Sequence, residues 1–185
     1  MIGYAFCGSF CTFSRSIEIL KKLVQSYEVQ PIMSFNACSV DTRFGRAADF
    51  VDEITRICSR KPIVTITDAE PLGPKIPLEA MVVCPCTGNT LAKLAGGITD
   101  TPVTMAVKAH MRQSRPLLIA LATNDALSGN LKNISVLLEK KSVYFVPMRQ
   151  DDIEKKPHSL VAELEMLPEC LSDALSGKQK RPLFL

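Results

Sequence analysis

The feature that most constrains this chain is a succession of short apolar runs, each closed by a turn residue and followed by helical periodicity. The runs are "IGYAFCG" (2–8), "VQPIMSF" (29–35), "AMVVCPC" (80–86), "RPLLIALAT" (115–123) and "VYFVPM" (143–148). They are apolar at consecutive positions rather than alternate ones, so each strand must be covered on both faces. A shorter, more polar run, "KPIVTIT" (61–67), reads as a further strand. Between the runs, "CTFSRSIEILKKLVQSY" (11–27) places Ile17, Leu20, Leu23 and Val24 on one helical face. "FGRAADFVDEITRIC" (44–58) does the same with Ala47, Phe50, Val51, Ile54 and Ile57. "TLAKLAGG" (90–97), "TPVTMAVKAHMRQ" (101–113) and "ISVLLEKK" (134–141) read as helices. "SLVAELEMLPECLSDALSG" (159–177) reads as a terminal helix interrupted at Pro168, and "DAEPLGPKIPLE" (68–79) as loop.

Strand alternating with helix predicts an α/β fold: a three-layer, Rossmann-like or flavodoxin-like parallel sheet of about six strands with helices on both faces. A chain of 185 residues can build one real core, so a single domain over 1–185 is expected, with 175–185 as a mobile tail. A net charge of +3, no basic block beyond "KQKR", no Trp and three Tyr argue against nucleic acid as a partner. No charged n-region precedes the apolar start, and no apolar run is long enough to span a bilayer. A cytoplasmic protein without a membrane partner is expected. Seven Cys, odd in number and unevenly spaced, read as reduced thiols.

Parallel sheets bind ligands at the carboxyl ends of their strands, so the residues just after each strand are the candidates. Gly8-Ser9-Phe10-Cys11-Thr12 opens a helix, where free N–H groups favour an anion; an N-cap at Ser9 or Thr12 is the other reading. Ser34 follows the second strand, and Arg43 lies in the loop beyond it. After the fourth comes "CPCTGNTLAKLAGG", Cys84 to Gly97. Pro85 ends the strand, Gly88 permits a tight turn or close approach to a ligand, and Thr87, Asn89 and Thr90 offer polar groups. Cys84 and Cys86 fail as a metal pair, because no second Cys or His pair stands at ligand spacing. Asn124 and Asp125 follow the fifth strand.

"PCTGNTLAKLAGGITD" resembles the P-A-S-A-N-T-x-A-K-x-A-x-G-x-x-D signature of the flavoprotein fold shared by homo-oligomeric flavin-containing cysteine decarboxylases. Pro85, Asn89, Thr90, Ala92, Lys93, Ala95 and Asp100 fall on identical positions; Thr87 stands for the Ser, Cys86 and Gly88 for the two Ala. "DTRFG", "AEPLGPK", "TNDAL" and "QDDIEKKPHS", in that order around the signature, are similar to the family of dipicolinate synthase B subunits, a sporulation family. The resemblance runs from about Ile2 to about Leu175.

The resemblance implies an FMN site built from Gly8, Ser9, Cys11, Ser34, Pro85, Thr87, Asn89, Thr90 and Asn124. It implies a partner, the A subunit of dipicolinate synthase, carrying NADP or NAD. The pair would form pyridine-2,6-dicarboxylate, a small dicarboxylate, from a dihydrodipicolinate-level precursor in the mother cell. A homo-oligomer is also implied. Cysteine decarboxylases of this fold carry a catalytic His before strand four; "EPLGPKIPLEA" has none. Aromatising a dihydropyridine removes a hydride equivalent and a proton, and a flavin or nicotinamide takes the hydride. Arg43 and Lys75 are the candidates for holding the carboxylates, and Asn89 for contacting flavin or ring. His110, His158 and Asp125 are the groups from which a general base could come. A stand-alone FMN-dependent decarboxylase or prenyltransferase of the same fold, and a non-catalytic structural subunit, remain as alternatives.

Overall fold

The computed structural model describes residues 1–185. Five strands run parallel: β1 (Ile2–Phe6), β2 (Val29–Met33), β3 (Met81–Cys86), β4 (Leu117–Thr123) and β5 (Val143–Phe145). Their order is β2-β1-β3-β4, with β5 beside the first half of β4. Along the same edge, the end of β4 pairs antiparallel with β7 (Leu160–Ala162), which pairs in turn with β6 (Met148–Arg149). The sheet therefore has seven strands, two of them a short antiparallel addition.

The consecutive apolar runs are explained by two cores. Ala5, Met81, Val83, Leu117, Ile119 and Leu121 face one layer; Tyr4, Phe6, Val82, Cys84, Leu118 and Ala120 face the other. The first layer holds α4 (Ile66–Ala69), α5 (Gly88–Gly96), α6 (Pro102–Met111) and α7 (Leu131–Leu138). The second holds α1 (Phe13–Leu23), α2 (Phe35–Ser39), α3 (Ala47–Cys58) and α8 (Leu167–Leu175). The cores contain 25 and 24 buried residues, so neither face is left for solvent.

Three expectations are corrected. Residues 61–67 form no strand: one bridge joins Ile63 to Ile32, and α4 follows. Pro31 is the cause. It has no N–H to give Lys61 O at the β2 edge, and Gln30 Nε2 donates there instead at 3.1 Å. Thr65 then starts α4 by accepting the Asp68 N–H at 3.1 Å. The terminal helix does not span 159–177: its beginning is β7, and Pro168 sits in the first turn of α8, opening the helix rather than interrupting it. Of residues 175–185, expected as a mobile tail, 183–185 pair with Met148 of β6 and Gln179 ties to β5. Met148 N–H donates to Leu183 O (2.9 Å), Leu185 N–H donates to Met148 O (3.0 Å), and Gln179 bonds both backbone groups of Phe145.

Candidate functional site

Backbone hydrogen bonds draw the strand-end loops together. Ser34 N–H donates to Phe6 O (2.9 Å), and Cys7 N–H donates to Pro85 O (3.2 Å). The turns after β2, β1 and β3 thus lie side by side at the carboxyl end of the sheet.

In the first turn, Ser9 and Thr12 stand at N-cap positions, but neither side chain accepts a capping hydrogen bond. Ser9 N–H donates to Cys7 O (2.8 Å), and the Thr12 hydroxyl donates to Ser9 O (2.7 Å) rather than accepting. The Ser9 hydroxyl meets only the Cys11 Sγ, at 4.0 Å, and Cys11 is exposed. Gly8 has a negative φ and room for a Cβ, 3.5 Å from Asn36 and Phe10, so the chain itself does not demand glycine there. In the second turn, Ser34 caps α2 by accepting the Ala37 N–H (3.3 Å), which leaves its hydroxyl hydrogen free. Arg43 is exposed 4.9 Å above the Phe44 ring and has no carboxylate partner. Asp41 in the same loop accepts the Ala47 N–H (2.8 Å) and starts α3.

In the third turn, Thr87 is the N-cap of α5, accepting the Thr90 N–H (3.2 Å) and donating to the Thr90 hydroxyl (3.1 Å). Asn89 is not the cap; it is exposed in the first turn, beside N–H groups that a helix leaves without internal partners. Lys93 and Asp100, both signature residues, pair at 2.8 Å and fasten α5 to the loop behind it. Pro85 does not end the strand: β3 runs on to Cys86, which pairs with Leu121 after a register shift, and Cys84, Pro85 and Cys86 are all buried. Burial pushes the Cys84 thiol up to about 11, as it does Cys7, and drives Cys86 well above the ordinary thiol range. These thiols are protonated packing groups, and no His/Cys/Asp/Glu cluster suits a metal.

The fourth turn holds a polar network that the sequence did not reveal. Thr123 Oγ1 donates to Asp125 Oδ1 (2.6 Å), Asn130 Nδ2 donates to Asp125 Oδ2 (2.9 Å), and Asn133 Nδ2 donates to Asn130 Oδ1 (2.8 Å). The Thr123 bond, then the Asn130 bond, lower the Asp125 pKa. Gly88 rests on this network: a Cβ there would lie 2.6 Å from Asn130 Nδ2, 2.6 Å from Thr123 Oγ1 and 2.8 Å from Asp125 Oδ1. An Ala where the signature has its second Ala would therefore force this network to shift. Asn124 is exposed beside it.

The loop 150–158 also reaches this end, since Leu127 N–H donates to His158 O (2.9 Å). Lys156, not among the candidates read from the sequence, pairs with Asp151; that hydrogen bond raises its pKa, with a smaller contribution from Cys11 in the β1 turn. Two sequence candidates fall elsewhere. Lys75 is in the turn 71–76, which packs through Gly73 onto Ala109 and His110 at the end of α6, the amino end of the sheet. His110 is buried there with Nε2 2.9 Å from Pro116 O, and burial lowers its pKa. Neither meets the strand-end turns within one chain.

The family model for flavoproteins matches residues 1–169. The chain belongs to the flavoprotein family. Over all 185 residues it is 42% identical to the B subunit of dipicolinate synthase from Bacillus subtilis, covering 92% of that protein, and this relation places it with the dipicolinate synthase B subunits. The crystal structure of the dipicolinate synthase B subunit from Bacillus halodurans superposes with a TM-score of 0.91 at 38% identity, covering 100% of this chain and 95% of that one. The FMN complex of Burkholderia xenovorans DmrB, a cubic protein cage for redox transfer, shares the fold at a TM-score of 0.67 and 19% identity, covering 95% of this chain and 94% of that one. The flavodoxin-like architecture expected from the alternating runs is thereby established. No helix is long and apolar enough to cross a membrane.

The strand-end residues fit a flavin. Free N–H groups of the α5 first turn, the uncapped Ser9 hydroxyl, the Ser34 hydroxyl hydrogen and the Asn89 and Asn124 amides make a donor-rich mouth. Asp125, in the turn beside it, is already engaged by Thr123 and Asn130.

Proposed function

We propose that this chain is the B subunit of a dipicolinate synthase, acting in the cytoplasm with a nicotinamide-binding A subunit. The pair is an oxidoreductase that forms pyridine-2,6-dicarboxylate from a dihydrodipicolinate-level precursor. The observation that carries the reading is the full-length 42% identity to the Bacillus subtilis B subunit of dipicolinate synthase. The absence of His from residues 70–80 supports it over a stand-alone cysteine decarboxylase.

In this reading FMN is held by the turns at Gly8, Ser9 and Cys11, at Ser34, at Pro85, Thr87, Asn89 and Thr90, and at Asn124. A bound flavin supplies hydride acceptance, which no side chain can. The chain's own residues bind and orient. The Ser9 hydroxyl and the free N–H groups of the α5 first turn favour an anionic group. Asn89 donates and accepts at a ring edge. Arg43, exposed at the same end of the sheet and unpaired, clamps one substrate carboxylate with two parallel hydrogen bonds. Lys75 could serve only from a neighbouring copy that sets its amino-end turn 71–76 against these strand-end turns.

The test is the visible spectrum of the purified chain before and after FMN is added, followed by dipicolinate formation with the A subunit. A flavin spectrum and product formation that depends on both chains are expected. Product formed at the same rate by the A subunit without this chain would refute the reading.

A further inference from the structure

An open groove of about 370 Å³ runs between α5, α6 and α7, away from the strand-end turns. Its floor is apolar, made by Leu94, Val107, Met111 and Leu137, with the half-exposed Ile98 at one edge. It reaches Leu117, the first residue of β4, so it opens toward the amino end of the sheet. Lys108 and Arg112 stand on its α6 side and Lys140 on its α7 side. No carboxylate lines it, and none of these three cations has an ion-pair partner within the chain; the neighbouring Asp100 is taken by Lys93.

Helix C-termini favour cations, which accounts for each charge separately. It does not account for three cations converging on an apolar floor left open. We propose that this groove docks the nicotinamide-binding chain, and that its occupant is an acidic segment of that chain carrying apolar anchors. The proposal rests on the two-subunit reading above. Apolar anchors would fill the floor in the manner of a helix in a groove, and flanking Asp or Glu would meet the rim. A two-fold contact with a second copy fits poorly, because it would set Lys108, Arg112 and Lys140 against their own counterparts. Docking at this end leaves the strand-end mouth open.

The test titrates the purified A subunit of the same organism into this chain by calorimetry, at low and high salt. The double variant Lys108→Glu with Arg112→Glu is expected to weaken binding at least tenfold at low salt, with the difference shrinking as salt screens the rim. Ile98→Asp, at a half-exposed position, is expected to weaken it about tenfold at either salt. Melting temperature and FMN uptake should match the parent chain in both variants, FMN uptake reporting the opposite end of the sheet. Equal affinity of parent and variants for the A subunit overturns the groove while leaving the two-subunit reading intact. Failure of the parent chain to bind the A subunit overturns both. A change in the chain's own sedimentation in the variants, with the A subunit still bound normally, identifies a second copy as occupant and also overturns the proposal.

Discussion

Replacing Gly88 by Ala tests the packing of the strand-three turn against the strand-four turn. The added methyl would sit 2.6 Å from Asn130 Nδ2 and Thr123 Oγ1, and 2.8 Å from Asp125 Oδ1. Ordinary carbon contacts need roughly 3.5 Å, so the network must move by most of an ångström. That movement breaks the Asn130–Asp125 bond, now 2.9 Å, or the Thr123–Asp125 bond, now 2.6 Å. A hydrogen bond to a charged group is worth about 1.5–3 kcal/mol, and the low end applies because Asp125 is partly solvated. Overpacking adds about 1–3 kcal/mol. Against this, Ala regains at most about 1 kcal/mol of helix propensity over Gly, and less at a first-turn position. A net loss of about 2 kcal/mol follows, a fall in Tm of roughly 4–8 °C for a chain of this size. The chain has no Trp, so urea unfolding is best followed by far-UV circular dichroism. Asn130→Ala removes one clashing atom, so the double variant should be less destabilised than the two single losses summed. A Gly88→Ala protein as stable as the parent, or an additive double variant, would refute the reasoning.

Other outcomes follow from the same geometry. Ser9→Ala and Ser34→Ala should each weaken FMN binding about tenfold, the worth of one hydrogen bond, read by flavin fluorescence quenching; Ser9→Ala should leave Tm unchanged because its hydroxyl caps nothing. Lys75→Ala should leave FMN affinity unchanged, since its turn lies at the amino end of the sheet; a large loss would place Lys75 in a site shared between copies. Iodoacetamide near neutral pH should label exposed Cys11 while Cys7, Cys84 and Cys86 react only on unfolding, as peptide mass spectrometry would record. The lowered pKa of Asp125 gives stability present above the ordinary carboxylate value and lost as pH falls through the lower folded one. Stability of the parent should therefore fall more steeply below about pH 4 than that of Asn130→Ala, measured by urea midpoints.

The sequence by itself determined the parallel sheet, its two covering layers and the end that carries the candidate site. Consecutive apolar residues such as those of "RPLLIALAT" admit no exposed strand face, and the turn residues after each run mark the carboxyl ends. The signature was legible through its resemblance to the flavoprotein family, and the structure gives some of its residues local roles: Thr90 in the cap of α5 and a Lys93–Asp100 tie seven residues apart. What depended on distant pairing was not legible. That "KPIVTIT" meets β2 at a single bridge depended on the missing N–H of Pro31, thirty residues before Lys61, and on the start of α4 at Thr65. Residues 160–162 became a strand because the end of β4 was free to pair with them, overriding a helical period. Lys75 was a reasonable carboxylate ligand by residue type, yet the packing of Gly73 on α6 carried it to the other end of the sheet. The crowding at Gly88 came from Asn130, a residue forty-two positions later that only the fold brings within reach. Local propensity and patterning act over a few residues and can be read in order; contacts between elements arise only when the sheet closes, and those contacts decided the site's final membership.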